Sequence, residues 1–163
     1  MAAADFFLKI EGIKGESQDS KHKDEIQLES WSWQEHNGGS HSSGGGGGAG
    51  KVVMKDFQFK MHTNAASPAL FVNCASGAHI TKAQLTCRKA GKDQQEYLKI
   101  YFTDLLVASY QTGGADGPTS VLPIDEISFN FTSIKMEYAP QKADGTLGSP
   151  IIFGWDVKQN KKL

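Results

Sequence analysis

Apolar and polar residues alternate with period two along most of this chain, and that alternation confines it to strands with one face turned inward. The alternating stretches are 5–10, 25–35, 52–62, 80–89, 96–110, 126–138 and 151–159. Between them lie GESQDSKHKD, AGKD, TGGADGPTS and PQKADGTLGSP, rich in the Gly, Pro, Asn and Asp that supply the backbone angles of turns. With 163 residues, the chain is expected to form a single domain over 1–163.

Two strands carry more detail. In 96–110, Leu98, Ile100, Phe102, Leu106 and Ala108 fall on one face. Tyr97, Lys99, Tyr101, Thr103, Leu105 and Val107 fall on the other, so both faces are partly apolar, as a strand covered by a neighbouring subunit would be. In 126–138 the apolar phase slips from Ile127, Phe129 and Phe131 to Ile134, Met136 and Tyr138, which predicts a β-bulge near Thr132. One short helix is expected, with Ser67 as N-cap, Pro68 at its first position and Gly77 as its stop. Leu70 and Cys74 would share its face, with Phe71 beside them. The fold class is mainly β: a small closed barrel or sandwich of two sheets with one flanking helix.

The stretch WSWQEHNGGSHSSGGGGGAGK, residues 31–51, joins two strands by an extended glycine-rich loop over 36–50. A long loop inside a compact domain tends to be functional. Its end, GGGGAGK, satisfies the phosphate-loop pattern, but Val52 stands where Ser or Thr is needed, and strand pattern follows where a helix N-terminus should face the phosphates. Nucleotide binding is therefore not expected. Trp31 and Trp33 project to one face of their strand and Ser32 to the other. A tryptophan pair there either packs against its own sheet or anchors a subunit contact.

Other chemistries find little support. The net charge of −1 and the lone arginine, Arg88, give no basic face for nucleic acid. The basic end, Lys158, Lys161 and Lys162, reads as a solvated terminus. His22, His36, His41, His62 and His79 lack metal-ligand spacing and read as surface histidines, so no metal and no cofactor are expected. No Gly-x-Ser-x-Gly elbow is present, and a Cys74–His79 pair is a weak nucleophile candidate. Asp24, Glu25, Asp125 and Glu126 stand at strand starts and read as solvated charge. Cys74 and Cys87 read as buried thiols in a reducing compartment. No apolar run approaches the roughly 20 residues that span a bilayer, and the N-terminus lacks a secretory signal pattern. Folding in a cytoplasm, without membrane insertion, is expected, with any export by a route that needs no cleavable signal.

Several motifs in order resemble one family. They are Phe7-Leu8-Lys9-Ile10 with Lys14-Gly15-Glu16-Ser17, then Trp31-Ser32-Trp33, Gly44 to Lys51, and Cys74-Ala75-Ser76-Gly77. Arg88-Lys89-Ala90-Gly91, Glu96-Tyr97-Leu98, Tyr138 with Pro140-Gln141-Lys142-Ala143-Asp144-Gly145, and Gly154-Trp155-Asp156 complete the series. Over nearly its whole length the chain resembles the haemolysin-coregulated protein (Hcp) family, the tube subunit of bacterial type VI secretion systems. The resemblance implies a barrel similar to phage tail-tube proteins, no enzymatic activity, and homohexameric rings stacked into a hollow tube. A contractile sheath would propel that tube, a spike protein would tip it, and small effector proteins would travel in its lumen, to be secreted into the medium or a target cell. The sequence ends within a few residues of its last predicted strand, so no fused toxin domain is expected. The alternative is a tail-tube subunit of a phage-like contractile particle. The resemblance also assigns the glycine-rich loop to inter-ring contact, through His36, Asn37, Ser40, His41 and Ser42. Ser43, Gly44, Gly47 and Gly50 continue that loop. Ser32 would face the lumen and touch effectors, and Trp31 and Trp33 would serve subunit packing.

Overall fold

The computed structural model describes residues 4–39, 50–118 and 122–163. Its elements, in chain order, are β1 (Ala4–Ile10), β2 (Ile26–Leu28), β3 (Ser30–Ser32), β4 (Glu35–Asn37), β5 (Val52–Met54) and β6 (Phe57–His62). Then follow α1 (Ser67–Ser76), β7 (His79–Lys89), β8 (Glu96–Gly113), β9 (Ile124–Tyr138), β10 (Ile151–Asp156) and β11 (Lys161–Lys162). All strand pairs are antiparallel.

The main sheet curls until its pairings meet. β1 pairs β7, β7 pairs β8, and β8 pairs β9. The first half of β9 pairs β6, and β6 pairs β3. β3 is one residue from β2, which returns to β1. At that residue, Glu29, the backbone N–H donates to the Lys60 carbonyl at 2.8 Å, so the chain changes partner without leaving the wall. The second half of β9 carries β10 and β11 outward, while β4 and β5 form a separate two-stranded sheet. Inside the barrel, Phe57, Phe102 and Phe129 form a buried aromatic triangle with centroids 4.8–5.1 Å apart. Leu8, Ile26, Met61, Leu85, Ile100 and Leu105 complete its core.

Several expectations are corrected here. The stretches 25–35 and 52–62 are each broken, because the chain passes between partners: β2 to β3 at Glu29, then out to the small sheet and back at Lys55–Asp56. Period-two alternation registers faces, not partners. The predicted phase slip in β9 is present, but it is no bulge near Thr132. Leu105 still faces Phe131 and Thr103 still faces Ser133, so both strands change face together. Asp104 makes that possible at φ 53°, its carboxylate accepting from the Thr132 hydroxyl (2.8 Å) and from His79 Nδ1 (2.9 Å). In consequence Leu105 and Val107 join the subunit's own core, and no neighbour is needed to cover them as a second apolar face of β8. The register shift lies at Ala108 instead, between Val107 and Ser109. The last predicted strand ends at Asp156, and Lys161 and Lys162 pair back on Asp156 and Trp155 rather than trailing into solvent.

The helix runs as expected from Pro68 in its first turn to Gly77, whose φ of 67° ends it and whose N–H donates to the Asn73 carbonyl. Its N-cap is Ala66, not Ser67. The Ser67 hydroxyl is buried and donates to Asp125 Oδ2 at 2.6 Å. Asp125 is itself fully buried, not solvated, and also accepts from Thr63 (2.8 Å) and Tyr110 (3.0 Å). Burial pushes its carboxyl up, but the surrounding hydroxyls outweigh that and hold it below the ordinary carboxylate range.

The segment between β1 and β2 is clasped to the outside of the barrel. His22 is buried, contrary to expectation, stacked on Phe7 at 4.4 Å. Its ring nitrogens meet Glu25 (2.9 Å) and Glu96 (2.7 Å). The Arg88 guanidinium lies 4.9 Å from the Phe7 ring centroid and forks onto Asp19 at 2.7 and 3.1 Å, with Asp5 at 3.1 Å. The sequence's one arginine is thus committed inside the subunit. The hydrogen bond from Arg88 drives the Asp19 carboxyl down to about 2.

Candidate interaction surfaces

Ser32 is exposed at one corner of a polar wall four strands wide. One row of paired positions reads Ser32, Gln58, Ser128, Ser109, and the next reads Ser30, Lys60, Glu126, Gln111. Alternation turns these residues away from the core because Trp31, Phe59 and Ile127 turn inward between them, although Ser128 is itself buried among its neighbours. On β8 the shift at Ala108 performs the alignment, bringing Ser109 opposite Ser128 with their hydroxyls 2.5 Å apart. Lys60 and Glu126 pair at 2.9 Å, so the two charges cancel within the row. These residues border a shallow groove of about 370 Å³. The sequence reading found only Ser32. Gln58, Lys60 and Ser128 alternate visibly along their strands, but which strands lie side by side is set by barrel closure and left no local signal.

Trp31 and Trp33 are both half-buried against their own subunit. Trp31 stacks on Phe57 at 6.0 Å and meets Phe6 edge-on at 6.3 Å. The Trp33 indole N–H donates to the Lys55 carbonyl at 3.0 Å, and its ring lies 6.4 Å from Phe131.

His36, Asn37 and Gly50 sit at the root of the glycine-rich loop. β4 and β5 pair as a hairpin, with His36 opposite Val53 and Asn37 opposite Val52. The Asn37 amide donates to the Gly50 carbonyl at 2.7 Å, and its oxygen accepts from the Gly39 N–H at 3.0 Å. A Cβ on Gly50 would lie 2.8 Å from the Gly39 nitrogen, so glycine is required for this closure. Ser40, His41, Ser42, Ser43, Gly44 and Gly47 lie outside the described residues. The strand expected after the phosphate-like sequence is there, as β5. Between this hairpin and β9–β10 runs a groove of about 920 Å³, walled by Trp33, Met54, Met136, Phe153 and Trp155.

The remaining candidates have structural employment. Cys87 is buried, and burial pushes its thiol up to about 12, while Cys74 is half-buried on α1. The histidine contacts with Glu25, Glu96, Glu29 and Asp104 tie segments together. Among the described residues no helix is long and apolar enough to cross a membrane.

A small antiparallel barrel with one flanking helix, the residues singled out here spread over a polar wall and the root of a hairpin, defines the class by its architecture. The comparisons give that class its family. "Type VI secretion system effector, Hcp" describes the family that matches residues 7–138. The chain is 43% identical over 160 residues to Protein hcp1 of Pseudomonas aeruginosa, covering 97% of this chain and 98% of that protein. Among solved structures, Hcp1 from Salmonella typhimurium is 39% identical with a TM-score of 0.81, covering 99% and 100% of the two chains. A structure described as a type six secretion system protein is 30% identical with a TM-score of 0.93, again covering 99% and 100%. This chain belongs to the Hcp family of secreted type VI secretion proteins.

Proposed function

We propose that this chain is the tube subunit of a type VI secretion system: a hexameric ring that stacks into a hollow tube, is driven by a sheath behind a spike, and carries effector proteins in its lumen. The observation that carries this reading beyond family membership is the polar wall of Ser32, Gln58, Ser109 and Ser128. It is hydroxyl- and amide-rich, with its one charge pair neutralised, which suits a wet channel that touches cargo without trapping it. The secretion wording of the matching family and of one similar solved structure favours this over a phage-like particle.

In this reading Ser32 lines the lumen, and the loop rooted at His36, Asn37 and Gly50 reaches toward the next ring. Ordering a glycine-rich loop costs entropy, so stacking is weak in free solution and favoured on a template. The subunit folds in the cytoplasm before export.

Light scattering behind a sizing column tests the ring. Six subunits of 17.7 kDa give about 106 kDa, and electron micrographs should show hollow rings of that species. A monomer at every concentration would refute the ring. For the lumen, Ser32→Gln should weaken co-purification of effectors from a secreting strain while leaving the ring mass unchanged. Unchanged effector recovery would remove Ser32 from the lumen wall.

A further inference from the structure

The outer face of β1, β7, β8 and the second half of β9 carries a groove separate from the polar wall. Two rows of paired positions make its floor. One reads Lys9, Gln84, Tyr101, Lys135. The next reads Lys82, Thr103, Ser133, with the Glu11 N–H on the Lys82 carbonyl at 3.1 Å. Ile10, Ala83, Phe102 and Ile134 turn inward between these residues and hold the rows outside. The clasp raises one rim. Its Gly15 N–H donates to the Asp24 carbonyl at 2.8 Å, which brings Lys14 and Lys23 to the same side. The groove measures about 930 Å³. β8 serves wall and groove with different halves: Ser109 and Gln111 lie beyond the change of face at Asp104, Tyr101 and Thr103 before it.

Five lysines line this groove, Lys9, Lys14, Lys23, Lys82 and Lys135, all exposed. Three carboxylates share it, and two are engaged: Glu25 meets His22 at 2.9 Å, and Glu11 stands 4.0 Å from Lys82. Among the described residues Lys9, Lys14, Lys23 and Lys135 have no ion-pair partner, and Asp24 alone is left to oppose them. A chain of net charge −1 thus gathers a local positive excess that its composition conceals.

Spacing and residue type define the ligand. Lys9 and Lys135 stand three strand intervals apart, about 14 Å at roughly 4.8 Å each. An extended chain rises about 13 Å over four residues and returns its side chain to the same face. Between the two lysines lie Gln84 and Tyr101, an amide and an aromatic ring on which such a chain can rest. The Lys135 ammonium already sits 4.9 Å from the Tyr101 ring centroid. Every cation here is a lysine, a point charge without the planar fork that reads phosphate, and Asp24 on the rim repels a dense polyanion. We propose that this groove binds an acidic, extended segment of another protein, with carboxylates four residues apart on Lys9 and Lys135. The proposal does not depend on the ring reading.

The test is fluorescence anisotropy of a labelled Thr/Ser peptide carrying a glutamate at every fourth position. It should bind the wild-type protein, and less as salt rises. Lys9→Glu with Lys135→Glu should weaken binding about tenfold or more. Lys92→Glu with Lys158→Glu changes the net charge equally at exposed sites elsewhere and should stay within about twofold. No binding by wild type, or equal loss in both double variants, overturns the proposal. Equal affinity for a peptide with its glutamates adjacent removes the spacing and overturns it too. Tighter binding of single-stranded oligothymidylate of the same charge would make this a nucleic-acid surface instead. A changed oligomeric mass of the Lys9/Lys135 variant, read by light scattering, would make it a contact between copies of this chain. Should that variant fail to fold, Lys9→Gln with Lys135→Gln probes the same two positions.

Discussion

Asp125 shows how single residues hold this barrel together. A fully buried carboxylate is tolerable only because the hydroxyls of Ser67, Thr63 and Tyr110 supply the hydrogen bonds that water would. Those donors come from α1, the end of β6 and β8, so the carboxylate joins the helix to the wall. Ser67→Ala removes a charge-assisted bond from a buried acceptor and should cost about 2 kcal/mol in urea unfolding. Trp31 belongs to the same account. It stacks on Phe57, so Trp31→Ala should cost about 3–5 kcal/mol by equilibrium unfolding. A Trp31→Ala protein with wild-type stability but altered oligomeric mass would assign the residue to subunit packing.

At the scale of elements, the clasp from Gly15 to Glu25 has a definite pH signature. Asp19 sits at about 2 in the fold against an ordinary 3.8. A carboxylate lowered on folding stabilises above roughly pH 4, and that contribution fades as pH falls toward 2. Glu96 acts with the same sign: burial raises its carboxyl, but His22 and Lys99 outweigh that and lower it. Asp19→Asn should therefore be less stable than wild type at neutral pH, and the gap should close on acidification through that window, followed by urea midpoints. Within the same clasp a Cβ on Gly15 would lie 2.5 Å from the Glu25 carbonyl oxygen, so Gly15→Ala should destabilise by about 1–3 kcal/mol in the same assay. Nothing in the sequence pattern announced this clasp, because its partners are far apart: Arg88 and Asp19, or His22 and Glu96, meet only when β7 lies between β1 and β8. What was legible was local. Alternation located the strands, and Pro68 and Gly77 bounded the helix. Partner changes at Glu29 and Asp56, and the joint change of face at Asp104 and Thr132, depend on neighbouring strands and escaped a one-dimensional reading. Of the polar wall, only Ser32 could be named, since its companions are gathered by pairing across four strands.

The whole molecule combines a neutral polar wall with apolar flanks, and that predicts how its assembly responds to salt. Phe71, Val72, Ile151, Ile152 and Phe153 are exposed and uncharged, so a ring of the proposed kind closed through such side chains should keep its mass between about 0.1 and 1 M salt, although the Debye length contracts from about 10 to 3 Å. Dissociation over that range, read by light scattering, would place charged groups at the contact instead. Barrel closure has a further consequence, for the chain as it is being made. β1 finds its main partner only at β7, with Ala4 opposite Lys89, and β6 finds its own only at β9, with Phe57 opposite Phe129. Synthesis adds roughly 5–20 residues per second from the N-terminus. The first strands to emerge from the ribosome therefore wait several seconds for partners that have not yet been translated, and the wall can be completed only when its last long strand has left the exit tunnel.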